Sequence, residues 1–174
     1  MKKSLFVVFF VFFLSSCSFR SMTEISMEPV ENFEIEKYCG KWYEIARLPN
    51  WFEKDLINVT ATYEFLNNGK VKVTNEGYNT KKKKYSKATG KAKFAGAENI
   101  GHLKVSFFGP FYADYKIIEL EKEGYQYALV ASSSKYLWIL SRSRRLDDQI
   151  SGMLVNKAES LGFDVGKLYF TPQE

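Results

Sequence analysis

From residue 59 to residue 141 the chain is a succession of short segments in which apolar and polar residues alternate, separated by turn-length connections. A period of two places alternate side chains on one face of a strand. In 59–65, Val59, Ala61, Tyr63 and Phe65 share a face. Asn67-Asn68-Gly69 supplies a hairpin turn, because asparagine and glycine tolerate positive φ. Val71, Val73, Asn75 and Gly77 return on one side, then Ser86, Ala88, Gly90, Ala92 and Phe94. Leu103, Val105 and Phe107 line the next segment; Gly109-Pro110-Phe111-Tyr112 turns; Tyr115, Ile117 and Glu119 alternate; 125–131 and 136–141 follow. With the segment that starts at Gly40, the count is eight. Strands joined in order by hairpins form an up-and-down antiparallel meander, and closing it removes the edges it would otherwise expose. The expected fold is all-β: an eight-stranded up-and-down antiparallel barrel with one C-terminal α-helix and a short final strand. Eight strands enclose room for one small ligand when the lining is not uniformly bulky.

The two ends of the meander carry matching residues. Gly40-Lys41-Trp42-Tyr43-Glu44-Ile45-Ala46-Arg47 begins with a glycine that lets backbones approach and an indole large enough to plug a curled sheet. Tyr136-Leu137-Trp138-Ile139-Leu140-Ser141-Arg142 ends on an arginine whose guanidinium can stack on that indole. Gly40, Trp42 and Arg142 are therefore the expected closure of the barrel. Alternation puts Glu44 and Ala46 on the face of Trp42, and an inward carboxylate must be hydrogen-bonded, neutral or paired. Residues 48–55 break the pattern and read as a long loop with Trp51 and Phe52 exposed. After residue 145, Asp147 or Asp148 can cap a helix. Leu146, Ile150, Leu154, Ala158 and Leu161 form its apolar stripe and Gly162 ends it; 163–170 is the final strand.

The first residues lie apart from this fold. Lys2 and Lys3 precede an apolar stretch, 5–14, too short to span a bilayer, and Leu14-Ser15-Ser16-Cys17 closes it. This is similar to the bacterial lipoprotein signal, in which cleavage leaves an acylated cysteine, here Cys17. That resemblance implies a signal peptide over 1–16, an acylated (palmitate-bearing) tether over 17–36 and the barrel domain over 37–174. Ser18 in place of aspartate implies the outer membrane, lipid-anchored at its periplasmic face. The tether reads as coil or a short lead-in strand. With Cys17 lipidated, Cys39 has no partner for an internal disulfide; a small buried apolar role and a reactive thiol both stay open. The chain is 45% apolar and 17% aromatic, which suits strands around an apolar cavity. A net charge of +5 with acids interspersed among the bases argues against a dedicated nucleic-acid surface.

Catalysis finds no foothold. The single histidine, His102, has no cysteine or acid cluster at metal-ligand spacing, and Ser132-Ser133-Ser134 lacks a base. No catalytic residue, metal or cofactor is predicted.

Five segments together resemble the lipocalin family, most closely its bacterial outer-membrane lipoprotein branch. They are Gly40-Lys41-Trp42-Tyr43-Glu44-Ile45-Ala46-Arg47, Val59-Thr60-Ala61-Thr62-Tyr63, Lys104-Val105-Ser106-Phe107-Phe108-Gly109-Pro110-Phe111, Tyr136-Leu137-Trp138-Ile139-Leu140-Ser141-Arg142 and Gly162-Phe163-Asp164-Val165. The resemblance implies binding, storage or transport of fatty acids or lysophospholipids in envelope lipid maintenance. The alternatives are a structural or interaction lipoprotein with a filled barrel, for which a homodimer through exposed aromatics is an option, and a lipid-acting enzyme. The ligand-lining candidates are Ala61, Tyr63, Val73, Asn75, Ala88, Val105, Phe107, Tyr115, Ile117, Tyr136 and Trp138. The family's open rim maps to Trp51 and Phe52 and to residues 81–84, 110–112 and 132–135. Where many members carry Thr-Asp-Tyr, this chain has Leu120-Glu121-Lys122-Glu123-Gly124-Tyr125, a slightly longer turn.

Overall fold

The alternating segments become eight strands in the computed structural model, which describes residues 27–174. They are β1 (Gly40–Arg47), β2 (Leu56–Phe65), β3 (Val71–Asn79), β4 (Lys84–Phe94), β5 (His102–Ser106), β6 (Ala113–Leu120), β7 (Tyr127–Ala131) and β8 (Leu137–Ser141). Each pairs antiparallel with the next, and β1 pairs with both β8 and β2, so the meander closes into the expected barrel. The predicted signal peptide, Cys17 and the first part of the tether lie outside the described residues.

Cross-strand register fixes which residues share the interior. Trp42 faces Ala61, Ala61 faces Asn75, and Asn75 faces Ala88. Beside that row, Tyr63 faces Val73 and Val73 faces Gly90; below it, Phe65, Val71, Ala92 and Val105 continue the ladder. Gly90 is required by close approach: a Cβ there would lie 2.7 Å from the Ser106 carbonyl oxygen and 2.8 Å from the Phe107 ring.

A second core forms on the outer wall. Asp147 caps α2 (Asp148–Ser160), its carboxylate accepting from the backbone N–H groups of Gln149 and Ile150. Leu154 and Ala158 of α2 pack with Leu129, Ala131, Leu137 and Ile139, the faces of β7 and β8 turned away from the barrel. Gly162 ends the helix at φ +93°, where a side chain would be strained. Asp147→Ala is expected to cost about 1 kcal/mol of stability, read from the urea midpoint, because two first-turn donors lose their acceptor.

Besides a register shift between Ile57 and Thr60 of β2, three features depart from simple alternation. A bulge between Glu44 and Ala46 reverses the faces of β1. Ala46, expected inside, packs in the outer core, and Arg47 is buried instead beside Glu44. A second bulge between Ile117 and Glu119 sends Glu119 outward, 4.0 Å from Lys157 of α2, and brings Leu120 inside. Ahead of β1, a one-turn helix, α1 (Ile35–Tyr38), stands where coil or a lead-in strand is expected, burying Ile35 and Tyr38.

The final segment is not a simple strand either. It makes a 3-10 turn (Val165–Lys167) and then β9 (Tyr169–Phe170), which pairs with Ala46 and Arg47 on the edge of β1 that β2 has left. The chain beyond it continues along that gap. The N–H of Thr171 donates to the carbonyl of Ile45 (2.9 Å), and the N–H of Asn58 to the carbonyl of Pro172 (2.8 Å). The Gln173 amide donates to the carbonyls of Glu44 and Val59, one on each strand. The seam between β1 and β2 is therefore direct at one end and filled by the C-terminal segment at the other.

Candidate functional site

At the end of the barrel where β1 begins, one guanidinium gathers the chain. Arg142 follows β8 and lies over the Trp42 ring, 3.9 Å from its centroid. Arg142 donates to the backbone carbonyls of Lys37, Tyr38, Cys39, Lys41 and Tyr125. Three of those belong to the end of α1, whose last carbonyls have no helical partner. The indole N–H of Trp42 donates to the Tyr38 carbonyl as well (2.8 Å). Gly40 sits at φ +98°, and a Cβ there would meet the guanidinium at 3.3 Å, so glycine is needed twice over. With Phe33, Ile35 and Tyr125 also buried, this end is a solid floor.

Burial changes along the barrel axis. Of the predicted lining residues, Tyr63, Val73 and Ile117 are buried in the packed lower half, with Val71, Leu103, Val130 and Leu140. Ala61, Val105, Phe107, Tyr115 and Trp138 lie against that core but stay partly exposed. Asn75 is also half-buried, and Ala88, at the end of its row, is exposed. Tyr136 lies in the connection before β8, not in the wall; its ring stacks on Trp138 (6.2 Å, 13°) and contacts Phe52 (5.8 Å). One feature of the sheet opens the upper half. β4 pairs with β5 only from Lys91 to Phe94, so its residues 84–90 have no strand paired to them on that side.

Polar groups inside are few. The Tyr115 hydroxyl lies 2.7 Å from that of Tyr38 and 2.7 Å from that of Tyr63. Burial pushes the pKa of all three phenols well above the usual range, so each is a neutral hydroxyl. The Asn75 side-chain oxygen is buried with no hydrogen-bond partner among the described residues.

The connections after β1, β3, β5 and β7 lie together at the other end, as an up-and-down barrel requires. They expose Trp51, Phe52, Phe108 and Phe111, with the lysines of 81–84 exposed on the connection after β3. Lys91 and Lys93 reach over Tyr112, at 5.9 and 5.0 Å. The loop after β1 is held from inside. Arg47 donates to Glu44, to the Thr171 hydroxyl (3.0 Å) and to the Glu53 carbonyl (2.7 Å). The Glu53 carboxylate accepts from the Trp138 indole (3.0 Å) and from Asn50. Burial, followed by the nearby Glu53 charge, pushes the Glu44 carboxyl up to about 7. Glu44 is paired and spoken for.

Remaining candidates sit elsewhere. His102 lies on the outer face, its ring 2.6 Å from Asp114, which Lys104 also contacts (2.8 Å). Cys39 is half-buried, and burial pushes its thiol up, away from reactivity. Alternation misses Arg47, Glu53 and Tyr38: a bulge hides the first, and the others lie in a loop and a one-turn helix where no period exists.

The family model for a lipocalin-like domain matches residues 33–173. The chain is 43% identical over 150 residues to outer membrane lipoprotein Blc of Vibrio cholerae, covering 86% of this chain and 88% of the relative. It is 44% identical over 145 residues to the protein of the same name in Escherichia coli K12, covering 83% and 81%. Among solved structures, insecticyanin of the tobacco hornworm superposes with a TM-score of 0.68 at 21% identity, over 84% of each chain. That last likeness speaks for the fold alone.

Proposed function

This chain belongs to the lipocalin family, and from that we propose that it carries hydrophobic acyl ligands, fatty acids or lysophospholipids, at the periplasmic face of the outer membrane. In this reading residues 1–16 are removed, Cys17 is acylated, and the barrel takes up the chain of its ligand for storage, transport and envelope lipid maintenance. The observation that carries it is the burial gradient inside the barrel: packed at the Trp42 end, partly exposed and apolar at Ala61, Val105, Phe107 and Trp138. An alkyl chain moved from water onto that wall gains roughly 0.8 kcal/mol per methylene before ordering costs. Trp51, Phe52 and Phe111 beside the lysines of 81–84 would hold a lipid's charged end or a membrane surface at the mouth. The name borne by the two bacterial relatives supports the anchoring and the membrane. We read the protein as a carrier and not as an enzyme.

Native mass spectrometry of the full chain, extracted gently from the membrane of a bacterial host, tests both parts. The expected spectrum shows a chain beginning at Cys17 with covalent lipid, plus a non-covalent mass in the range of a fatty acid or lysophospholipid. A barrel that is always empty, and that also fails to bind dansyl-labelled undecanoic acid, would overturn the carrier reading. An unmodified Cys17 would overturn the anchor.

A further inference from the structure

The described chain enters the fold beside the mouth, not at the floor. Met27 lines a recess with Ala113, Asp114, Ser132, Ser133 and Tyr136, where β6 begins and β7 has just ended. From there residues 27–33 run down the outer wall. The Val30 N–H donates to the Ile117 carbonyl (2.8 Å), the Gly101 N–H to the Val30 carbonyl (2.8 Å) and the Phe33 N–H to the Asn99 carbonyl (2.9 Å). Phe33 is then buried in the floor. Cys17, which carries the anchor in the reading above, stands ten residues upstream of Met27. Ten residues span at most about 36 Å. The wall is roughly 25 Å high, from the ten residues of β2 and the tilt usual for eight strands. A floor-first attitude would stretch the tether back along that whole wall and leave about 10 Å to reach a membrane. A mouth-first attitude demands no such extension.

The mouth suits that contact. Trp51, Phe108 and Phe111 project at 79%, 77% and 78% exposure, whereas Phe65 and Leu66 at the floor end reach only 39% and 38%. Aromatic rings of this kind settle at the boundary between headgroups and acyl chains. The same end carries Lys54, Lys81, Lys82, Lys83 and Lys135, all exposed, against an exposed Asp55 and a buried Glu53. Each lysine held near an anionic leaflet adds attraction. We propose that the open mouth docks on the anionic phospholipid leaflet that holds the anchor, with Trp51, Phe108 and Phe111 inserted among its headgroups. The proposal rests on the carrier and anchor reading above and gives it a direction. Acyl chains then pass between the leaflet and the wall at Val105 and Phe107 without crossing water.

The test uses the acylated full chain in vesicles of phosphatidylethanolamine and phosphatidylglycerol that contain doxyl-labelled phosphatidylcholine. A fluorescent NBD group is placed at the mouth through Phe111→Cys, or in the floor-end hairpin through Asn68→Cys, each with Cys39→Ser. Doxyl quenching at position 111 is expected to exceed that at position 68 at least about threefold, given an insertion of about 5–10 Å. Lys81→Gln, Lys82→Gln and Lys83→Gln together should remove about half of the quenching at 111 on these vesicles and none on phosphatidylcholine alone. Trp51 reports without a label: the emission that Trp51→Phe removes should shift to the blue on vesicles. Quenching at 68 alone, or at neither site, with Trp51 unshifted, would overturn the docking. Quenching that ignores the three lysines would overturn the choice of an anionic leaflet. Dansyl-labelled undecanoic acid separates this from the carrier reading. If it binds while both labels stay in water, the docking is wrong and the carrier stands; if it does not bind while 111 is quenched, the carrier falls and the docking stands. A chain whose mass shows no lipid on Cys17 overturns anchor and orientation together.

Discussion

Trp42→Ala is expected to cost about 3–5 kcal/mol of unfolding free energy. The indole is fully buried and belongs to the interior core, packed 4.8 Å from the Tyr38 ring, so truncation leaves a void in the floor. It also removes the donor to the Tyr38 carbonyl and the surface on which Arg142 lies. Arg142→Ala should cost less, about 2–3 kcal/mol, since its donors are replaceable in part by water at the half-exposed end. The double variant should cost less than the two losses added, because both residues serve the Tyr38 carbonyl and each other. Urea unfolding of the four proteins measures this. Strict additivity would mean that the stacked pair does not act as a unit.

The second large effect is expected at the seam, and it depends on pH. Arg47→Met leaves the buried Glu44 carboxyl without its guanidinium and the Glu53 backbone carbonyl without its donor, with an expected cost of about 3–5 kcal/mol at pH 8. At pH 5 the cost should be smaller, because Glu44 can take up a proton in place of its partner. The wild type carries the same signature in milder form. In the fold the Glu44 carboxyl titrates at about 7, above its ordinary value of 4.5. The folded state thus binds the proton more tightly than the unfolded chain. The resulting stability is complete below the ordinary value and is lost as pH rises through about 7, roughly 1 kcal/mol of it between pH 6 and pH 8. Glu44→Gln should flatten that slope. Urea midpoints across this range decide the matter; a wild-type stability that rises with pH, with Glu44→Gln unchanged, would show that Glu44 is ionised throughout.

Much of the interior was legible because a strand obeys a strict period of two. Ala61, Tyr63, Val73, Asn75 and Ala88 were placed on one face by counting, and the ladder pairs them across three strands. The same rule failed where a residue is inserted. The two bulges exchange Ala46 for Arg47 and Glu119 for Leu120, and nothing local marks either insertion. Tyr136 was counted as wall because it precedes an apolar run, but its ring serves the mouth.

Pairing across long stretches of chain set the rest. Tyr115 meets Tyr38 and Tyr63 over 77 and 52 residues, and Thr171 reaches Glu44 over 127. Local pattern determined the number of strands, the faces they turn inward and the helix laid on the outer wall, since backbone geometry enforces those periods residue by residue. Only the closed barrel decided which hydroxyls meet, which carboxylate takes the arginine and where the C-terminal segment inserts. Such partners are chosen by distance and desolvation in the folded state, and a period along the chain carries no record of either.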